Sequence, residues 1–113
     1  MELLGDEYVS MKEYCELLDA GLAEANAAVA GFRVGEEVTY RDLLYGLMLP
    51  SGADAAQSLT RNIAGSTEKF IEMMNQKAQE LGCKNTHFVN PTGLDHPEHY
   101  STVEDVATIF QYA

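Results

Sequence analysis

Apolar residues in the run between Thr39 and Pro50 recur at helical positions i, i+1, i+4 and i+5, and they are Leu43, Leu44, Leu47 and Met48. This pattern predicts a helix that buries one face. Thr39 is the predicted N-cap, because its hydroxyl can accept a hydrogen bond from a free backbone N–H at the helix start. Pro50 disfavours the α region for the preceding Leu49, so we expect the helix to end there. Ser51 should then stand at the N-terminus of the next helix.

Other helices are predicted from their own start and stop signals. Capping boxes open the first helix at Ser10 and the last at Ser101, each with a glutamate three residues later. The helices over residues 52–64 and 67–81 should be closed by Gly65 and Gly82. Residues 86–89 are predicted as a short strand and residues 90–93 as a turn. The chain is therefore predicted to be mainly α, a single unit over residues 1–113 with about five helices and one irregular loop or short strand.

Charge narrows the range of partners. The chain has 7 basic and 18 acidic residues, a net charge of −11. Nothing in such a chain neutralises phosphates, so we expect no binding to nucleic acid or to anionic membrane surfaces. No window approaches 18 consecutive apolar residues, and the first residues have no basic segment followed by a long apolar stretch. We therefore expect no membrane span and no secretory signal within this sequence.

The cysteines and histidines do not form a convincing metal site. Cys15 and Cys83 are far apart in sequence. Two free thiols are favoured, and a disulfide between them is the alternative. His96 and His99 are spaced three apart, but Pro97 interrupts any helix that would place both rings on one face. His87, Asp95 and Glu98 add no clearly placed third ligand. We predict no metal and no other cofactor.

Three segments carry a resemblance to a known family. They read GEEVTYRDLLYGLMLPSGADAA from residue 35, KFIEMMNQKAQELGCKNTHFVNPTGL from residue 69 and HYSTVEDVATIF from residue 99. In this order and near this spacing they resemble the low-molecular-weight penicillin-binding proteins, serine-type D-Ala-D-Ala carboxypeptidases of peptidoglycan metabolism. Enzymes of this kind carry an S-x-x-K motif with the nucleophile, an S-x-N motif and a K-T-G motif.

The resemblance places Ser51 at the serine of S-x-N. That serine is implied to relay a proton to the leaving group, since a hydroxyl both donates and accepts hydrogen bonds. Ala53 stands where the family has the substrate-binding asparagine, and a methyl group offers no amide to substrate. Losing such a contact typically costs a few kcal/mol, about 3, of transition-state stabilisation. We expect another polar group to compensate.

The other two motifs are not found in the family's order. Ser66-Thr67-Glu68-Lys69 has the S-x-x-K form, but it follows Ser51 instead of preceding it. Ser66 is accordingly predicted to be a plain N-cap. No K-T-G or similar triplet occurs. The sequence is therefore similar to an interior, helical portion of the α+β catalytic domain that penicillin-binding proteins share with β-lactamases.

Two functions follow as expectations. The resemblance implies part of an exported D-Ala-D-Ala carboxypeptidase, which acts on peptidoglycan stem peptides at the outer face of the bacterial membrane or in the cell wall. By itself, this portion should be inactive. The alternative is a non-catalytic helical interaction module derived from that family. In either case, a face built to meet the missing sheet would be exposed and apolar, and would favour self-association.

Overall fold

The computed structural model of the protein describes residues 8–10, 27–33 and 35–113. Two strands, β1 (Tyr8–Ser10) and β2 (Glu37–Thr39), precede four helices: α1 (Tyr40–Met48), α2 (Ala53–Ala64), α3 (Thr67–Glu80) and α4 (Val103–Tyr112). Four of the five predicted helices are thus confirmed. The body of the first predicted helix falls on residues 11–26, which lie outside the described residues.

The strands β1 and β2 form an antiparallel pair that the sequence did not predict. Val9 lies opposite Val38, and Tyr8 opposite Thr39. Strands of three residues are too short to show a period-two pattern, so only the tertiary pairing defines them. Ser10, predicted as a helix cap, is the last residue of β1. Its capping-box partner Glu13 lies outside the described part of the chain.

Helix α1 begins where the sequence predicts. The Thr39 hydroxyl accepts a hydrogen bond from the Asp42 N–H at 3.1 Å, and the Asp42 carboxylate accepts one from the Thr39 N–H at 2.9 Å. These two bonds form a capping box that satisfies backbone donors free at the helix start. The hydrogen bond from the Thr39 N–H to the carboxylate also holds the pKa of Asp42 below its ordinary value of 3.8.

The predicted reason for the end of α1 is wrong, although its position is nearly right. Leu49 has φ −78° and ψ −60°, inside the right-handed α region, despite the proline that follows. Its N–H still donates to the Tyr45 carbonyl at 3.0 Å. This helical hydrogen bond offsets the steric preference that Pro50 imposes on its predecessor. The chain leaves the helix direction two residues later, at Ser51.

The core lies between α1, α2 and β2. Its buried members are Val38, Tyr40, Leu43, Ala55 and Leu59, with Phe32 and Leu47 packed against them. Alanines at the start of α2 let the two helices approach closely. The predicted buried face of α1 is only half right, because Leu44 and Met48 are exposed. Leu44 lines an open pocket beside Leu59 and Ile63 of α2, whereas Met48 is 75% exposed.

Helices α2 and α3 meet at a glycine turn. Gly65 takes a left-handed conformation with φ 87° and ends α2. Its N–H donates to the Arg61 carbonyl at 2.8 Å. Such a C-terminal glycine adopts positive φ without the steric cost that a Cβ would bring. Ser66 then caps α3 by accepting a hydrogen bond from the Lys69 N–H at 3.2 Å. Both predictions are confirmed.

Helix α4 starts one residue later than predicted. Thr102, not Ser101, is the N-cap, and its hydroxyl accepts from the Asp105 N–H at 3.1 Å. The Asp105 carboxylate does not return to the cap, because it accepts from the Asn85 N–H and the Thr86 hydroxyl instead. The loop before α4 is thereby attached to the helix start.

The predicted strand at residues 86–89 is reduced to one bridge. His87 pairs with Tyr100 through two backbone hydrogen bonds of 2.9 and 3.0 Å. Next to it, the Asn75 side chain of α3 bonds both the N–H and the carbonyl of Phe88, each at 2.8 Å. The Asn75 carboxamide thus makes the two hydrogen bonds to Phe88 that a neighbouring strand would otherwise make. The predicted turn is present, and the Asn90 carboxamide oxygen accepts from the Gly93 N–H.

Replacing Thr39 should test the capping box. Thr39→Ala removes the hydroxyl acceptor, so the free energy of unfolding should fall by about 1 kcal/mol. Thr39→Ser, which keeps a hydroxyl, should lose much less. Urea unfolding of the 113-residue chain measures both. Equal losses from the two variants would contradict a role for the hydroxyl.

The same box should make stability depend on acidic pH. Because the folded-state pKa of Asp42 is lowered, its contribution is present above the unfolded value of 3.8 and lost as pH falls through the folded value. The difference between the wild type and Asp42→Ala should therefore shrink in that acidic range.

Candidate active site

Ser51 lies at the turn between α1 and α2 in an uncommon backbone conformation. Its φ is 58°, and it is the one non-glycine residue with positive φ among the described residues. A left-handed conformation costs a non-glycine residue about 1–2 kcal/mol. The side chain is exposed. A serine kept in a strained, solvent-facing position is typical of residues that act on a ligand.

The turn around Ser51 is closed by backbone hydrogen bonds. The Gly52 N–H donates to the Gly46 carbonyl of α1 at 3.0 Å, and the Gly52 carbonyl accepts from the Ala56 N–H at 3.1 Å. Gly52, not Ser51, is the N-cap of α2, and no side chain caps this helix. The prediction that Ser51 stands at the helix start is therefore displaced by one residue. Its hydroxyl is not committed to capping.

Gly52 must lack a side chain. A Cβ there would lie 2.6 Å from the Gly46 carbonyl oxygen, 2.6 Å from the Asp54 Oδ1 and 3.0 Å from the Ala30 Cβ. Backbone on one side and a buried carboxylate on the other leave no room for a methyl group. The residue next to Ser51 is thus enclosed on three sides.

Ala53 is the first residue of α2, and it is buried, with 6 % of its surface exposed. Its N–H donates to the Ala28 carbonyl at 2.8 Å, which joins the helix start to the segment 27–33. An asparagine at this position would need space for a larger polar side chain. The alanine methyl contributes packing and no hydrogen bond.

Asp54 is the site residue that sequence reasoning missed. Its side chain is fully buried, at 0 % exposure. The carboxylate accepts from three successive backbone N–H groups, of Ala30 at 2.7 Å, Gly31 at 2.9 Å and Phe32 at 3.3 Å. It also accepts from the Ala55 N–H at 3.0 Å. An acidic residue in a first helical turn usually indicates only a favourable interaction with the helix dipole, so the pattern gave no sign of these partners.

The other candidate residues serve local structure. His96 and His99 each use Nδ1 to accept a backbone N–H, from Glu98 and Val89 respectively, both at 3.0 Å. Cys83 is a free, buried thiol, and burial raises its pKa. In the part of the chain that the structure describes, no three His, Cys, Asp or Glu side chains are grouped to hold a metal. Cys15 lies outside that part. None of the described helices is long and apolar enough to cross a membrane.

Comparison with known proteins identifies the family. The sequence profile of the D-alanyl-D-alanine carboxypeptidases matches residues 6–113. The chain belongs to this family. The resemblance drawn from the three sequence segments is confirmed.

Curated relatives agree with this assignment. The chain is 44% identical over 89 residues to the D-alanyl-D-alanine carboxypeptidase DacF of Bacillus subtilis, covering 75% of this chain and 23% of that protein. It is also 44% identical over 82 residues to a Streptomyces D-alanyl-D-alanine carboxypeptidase, covering 67% of this chain and 28% of that protein. The chain thus spans about a quarter of the length of these two carboxypeptidases.

Solved structures show the same fold. Penicillin binding protein 6B from Escherichia coli superposes with a TM-score of 0.88 at 33% identity, over 97% of this chain and 34% of that one. A Streptomyces DD-transpeptidase superposes with a TM-score of 0.82 at 40% identity, over 96% and 42% of the two chains. The described helices are therefore a helical portion of the penicillin-binding-protein domain, as predicted.

Glycine at position 51 should relieve the strain of the turn. Ser51→Gly and Ser51→Ala both remove the hydroxyl, but only glycine adopts positive φ at little steric cost. Ser51→Gly should therefore unfold with a free energy about 1 kcal/mol higher than Ser51→Ala. Urea unfolding of the two variants measures the difference. An alanine variant as stable as the glycine variant would contradict a strained backbone at Ser51.

Proposed function

We propose that this chain is part of a serine-type D-Ala-D-Ala carboxypeptidase that acts on peptidoglycan stem peptides outside the bacterial cytoplasm. The reaction would transfer the acyl group of the terminal peptide bond to a serine, and water would then hydrolyse the acyl-enzyme. Membership of the family supports this activity. The observation that supports a role for a particular residue is the exposed, left-handed conformation of Ser51 between two packed helices.

Ser51 is proposed as the proton-relay residue of this site. Its hydroxyl is exposed and is not used to cap α2, so it stays available to donate one hydrogen bond and accept another. The turn is held by hydrogen bonds on its C-terminal side and by Pro50 on the other. A group held in place in this way needs little reorganisation when it transfers a proton to the leaving nitrogen.

Ala53 is proposed to mark the substrate-binding position that an asparagine occupies elsewhere in the family. Its methyl group is buried at the start of α2, so it contributes no amide to substrate. Another polar group must orient the substrate backbone if the enzyme is fully active. The unit itself is proposed to be a single helical subdomain over residues 1–113, and by itself it should not form an acyl-enzyme.

Acylation by a labelled β-lactam tests the relay. In the complete protein that carries this chain, Ser51→Ala should slow acylation by about 10²-fold or more, the usual range for a lost acid–base group. Ser66→Ala is the matched control, because Ser66 is also a serine at a helix start but serves only as a cap. It should leave the rate unchanged. A Ser51→Ala protein that acylates at the wild-type rate, or a stoichiometric adduct on the 113-residue chain alone, would contradict this assignment.

We further propose that the isolated chain associates with a second copy through its exposed apolar residues. Val103 and Phe110 of α4 are 88% and 77% exposed, and Leu49 at the end of α1 is 78% exposed. The solved relatives are more than twice as long as this chain. Their additional segments could cover apolar side chains that are exposed in the isolated chain. Burying such side chains against a second copy removes apolar surface from water.

Light scattering over a concentration series tests this association. The apparent mass should rise with concentration, and more steeply at higher salt, because the net charge of −11 opposes association. Phe110→Lys should shift the midpoint to higher concentration by about tenfold, or about 1.4 kcal/mol. Gln111→Lys changes the charge equally on the same helix and should shift it much less. A strict monomer at high micromolar concentration would count against the proposal.

A further inference from the structure

The buried carboxylate of Asp54 lies directly behind the turn that presents Ser51. Three of its four hydrogen-bond donors are consecutive backbone N–H groups of residues 30–32, and these are 22 to 24 residues away in sequence. Successive N–H groups that curve around one anion form a nest, which positions a carboxylate closely. Full burial of such a group is tolerated only because its oxygens are bonded.

The segment that supplies these donors is also attached to both helices. The Ala28 carbonyl accepts from the Ala53 N–H of α2 at 2.8 Å. The Phe32 ring lies so close to α1 that a Cβ at Gly46 would approach it to 2.8 Å. Residues 28–32 therefore contact the end of α1 and the start of α2. Asp54 supplies most of the described hydrogen bonds that hold the segment there.

The same carboxylate borders the residue that follows Ser51. Its Oδ1 is one of the atoms that exclude a side chain from Gly52, together with the Gly46 carbonyl. Gly52 is thus confined between the Asp54 carboxylate and the backbone of α1. Ser51 is joined to Gly52 on one side and to Pro50 on the other, so it bridges two positions with little freedom. Its positive φ is the conformation that connects them.

We propose that Asp54 is a positioning residue for Ser51. Its carboxylate fixes residues 30–32 and the Ser51-Gly52 turn as one rigid unit and so holds the serine in its left-handed, exposed conformation. The functional meaning of this role rests on the proposed relay function of Ser51, but the conformational claim does not. Asparagine is not an adequate substitute, because its side chain has one acceptor oxygen and presents an NH₂ donor to N–H groups.

The conformation of Ser51 can be measured directly by NMR on the isotope-labelled 113-residue chain. A strong intraresidue HN–Hα cross-peak and a reduced one-bond Cα–Hα coupling report positive φ at Ser51 in the wild type. Asp54→Asn should lose both signatures while the α2 and α3 resonances stay folded. Thr60→Val is the matched control, since Thr60 is a buried polar residue of α2 whose hydroxyl donates within the helix, to the Gln57 carbonyl. It should keep them.

A folded Asp54→Asn chain that retains positive φ at Ser51 would overturn the proposal and leave Asp54 as a simple anchor. If this variant does not fold, native-state hydrogen exchange of the wild type decides. The amides of Gly31 and Gly52 flank the carboxylate and the turn, and both are hydrogen-bonded. The hydrogen bonds of both amides should open together, so the exchange rates of Gly31 and Gly52 should depend on urea in the same way. A Gly31 amide that exchanges freely while Gly52 stays protected would equally overturn the proposal.

Acylation of the complete protein separates this inference from the proposed function. We expect Asp54→Asn to slow β-lactam acylation at least about tenfold, a barrier increase of about 1.4 kcal/mol. If the variant loses the positive φ of Ser51 but acylates at the wild-type rate, then the positioning role stands and the relay role of Ser51 is refuted.

Discussion

The burial of one carboxylate, that of Asp54, is the constraint on which the described arrangement around the helix turn depends. Four backbone N–H groups satisfy its oxygens, and three of them come from a segment without regular secondary structure. Hydrogen bonds to a charged acceptor are stronger than neutral ones, and removing them inside a protein leaves the donors unsatisfied. The carboxylate therefore fixes a segment that has no helix or strand hydrogen bonds of its own in the described structure.

Close packing of α1 on α2 makes this constraint effective. Ala55 and Ala56 are buried at the start of α2, and a Cβ at Gly52 would lie 2.6 Å from the Gly46 carbonyl oxygen of α1. Small residues allow the two backbones to approach, which brings the Gly46 carbonyl within reach of the Gly52 N–H. The strained serine between them is then stabilised by interactions that surround it on either side. Strain of this kind persists only where the neighbouring structure determines it.

Local chemistry explains which parts of the fold could be predicted. The Thr39 cap, the Ser66 cap and the Gly65 stop each depend on residues within one helical turn, so the sequence pattern contains the whole interaction. The start of α4 lies one residue beyond the predicted cap because two neighbouring hydroxyl residues, Ser101 and Thr102, can both act as caps. Only the distant partners of Asp105 distinguish them.

Long-range contacts explain the rest. The pairing of β1 with β2 and the partners of Asp54 both arise from tertiary structure, and no short pattern encodes them. At the candidate site, the resemblance indicated Ser51 and Ala53 by position. The resemblance gave no indication that Ser51 is left-handed, because serine seldom adopts positive φ. A sequence pattern would assign that conformation to the adjacent Gly52.

The most direct test of the central claim is a crystal structure of the complete protein acylated by a β-lactam. We expect Ser51 to keep its positive φ and its Oγ to lie at hydrogen-bond distance, about 3 Å, from the nitrogen released by opening of the β-lactam ring. A Ser51 hydroxyl that faces away from the acyl group, with no polar contact to that nitrogen or to the residues that form the acyl-enzyme, would contradict its role as the proton relay.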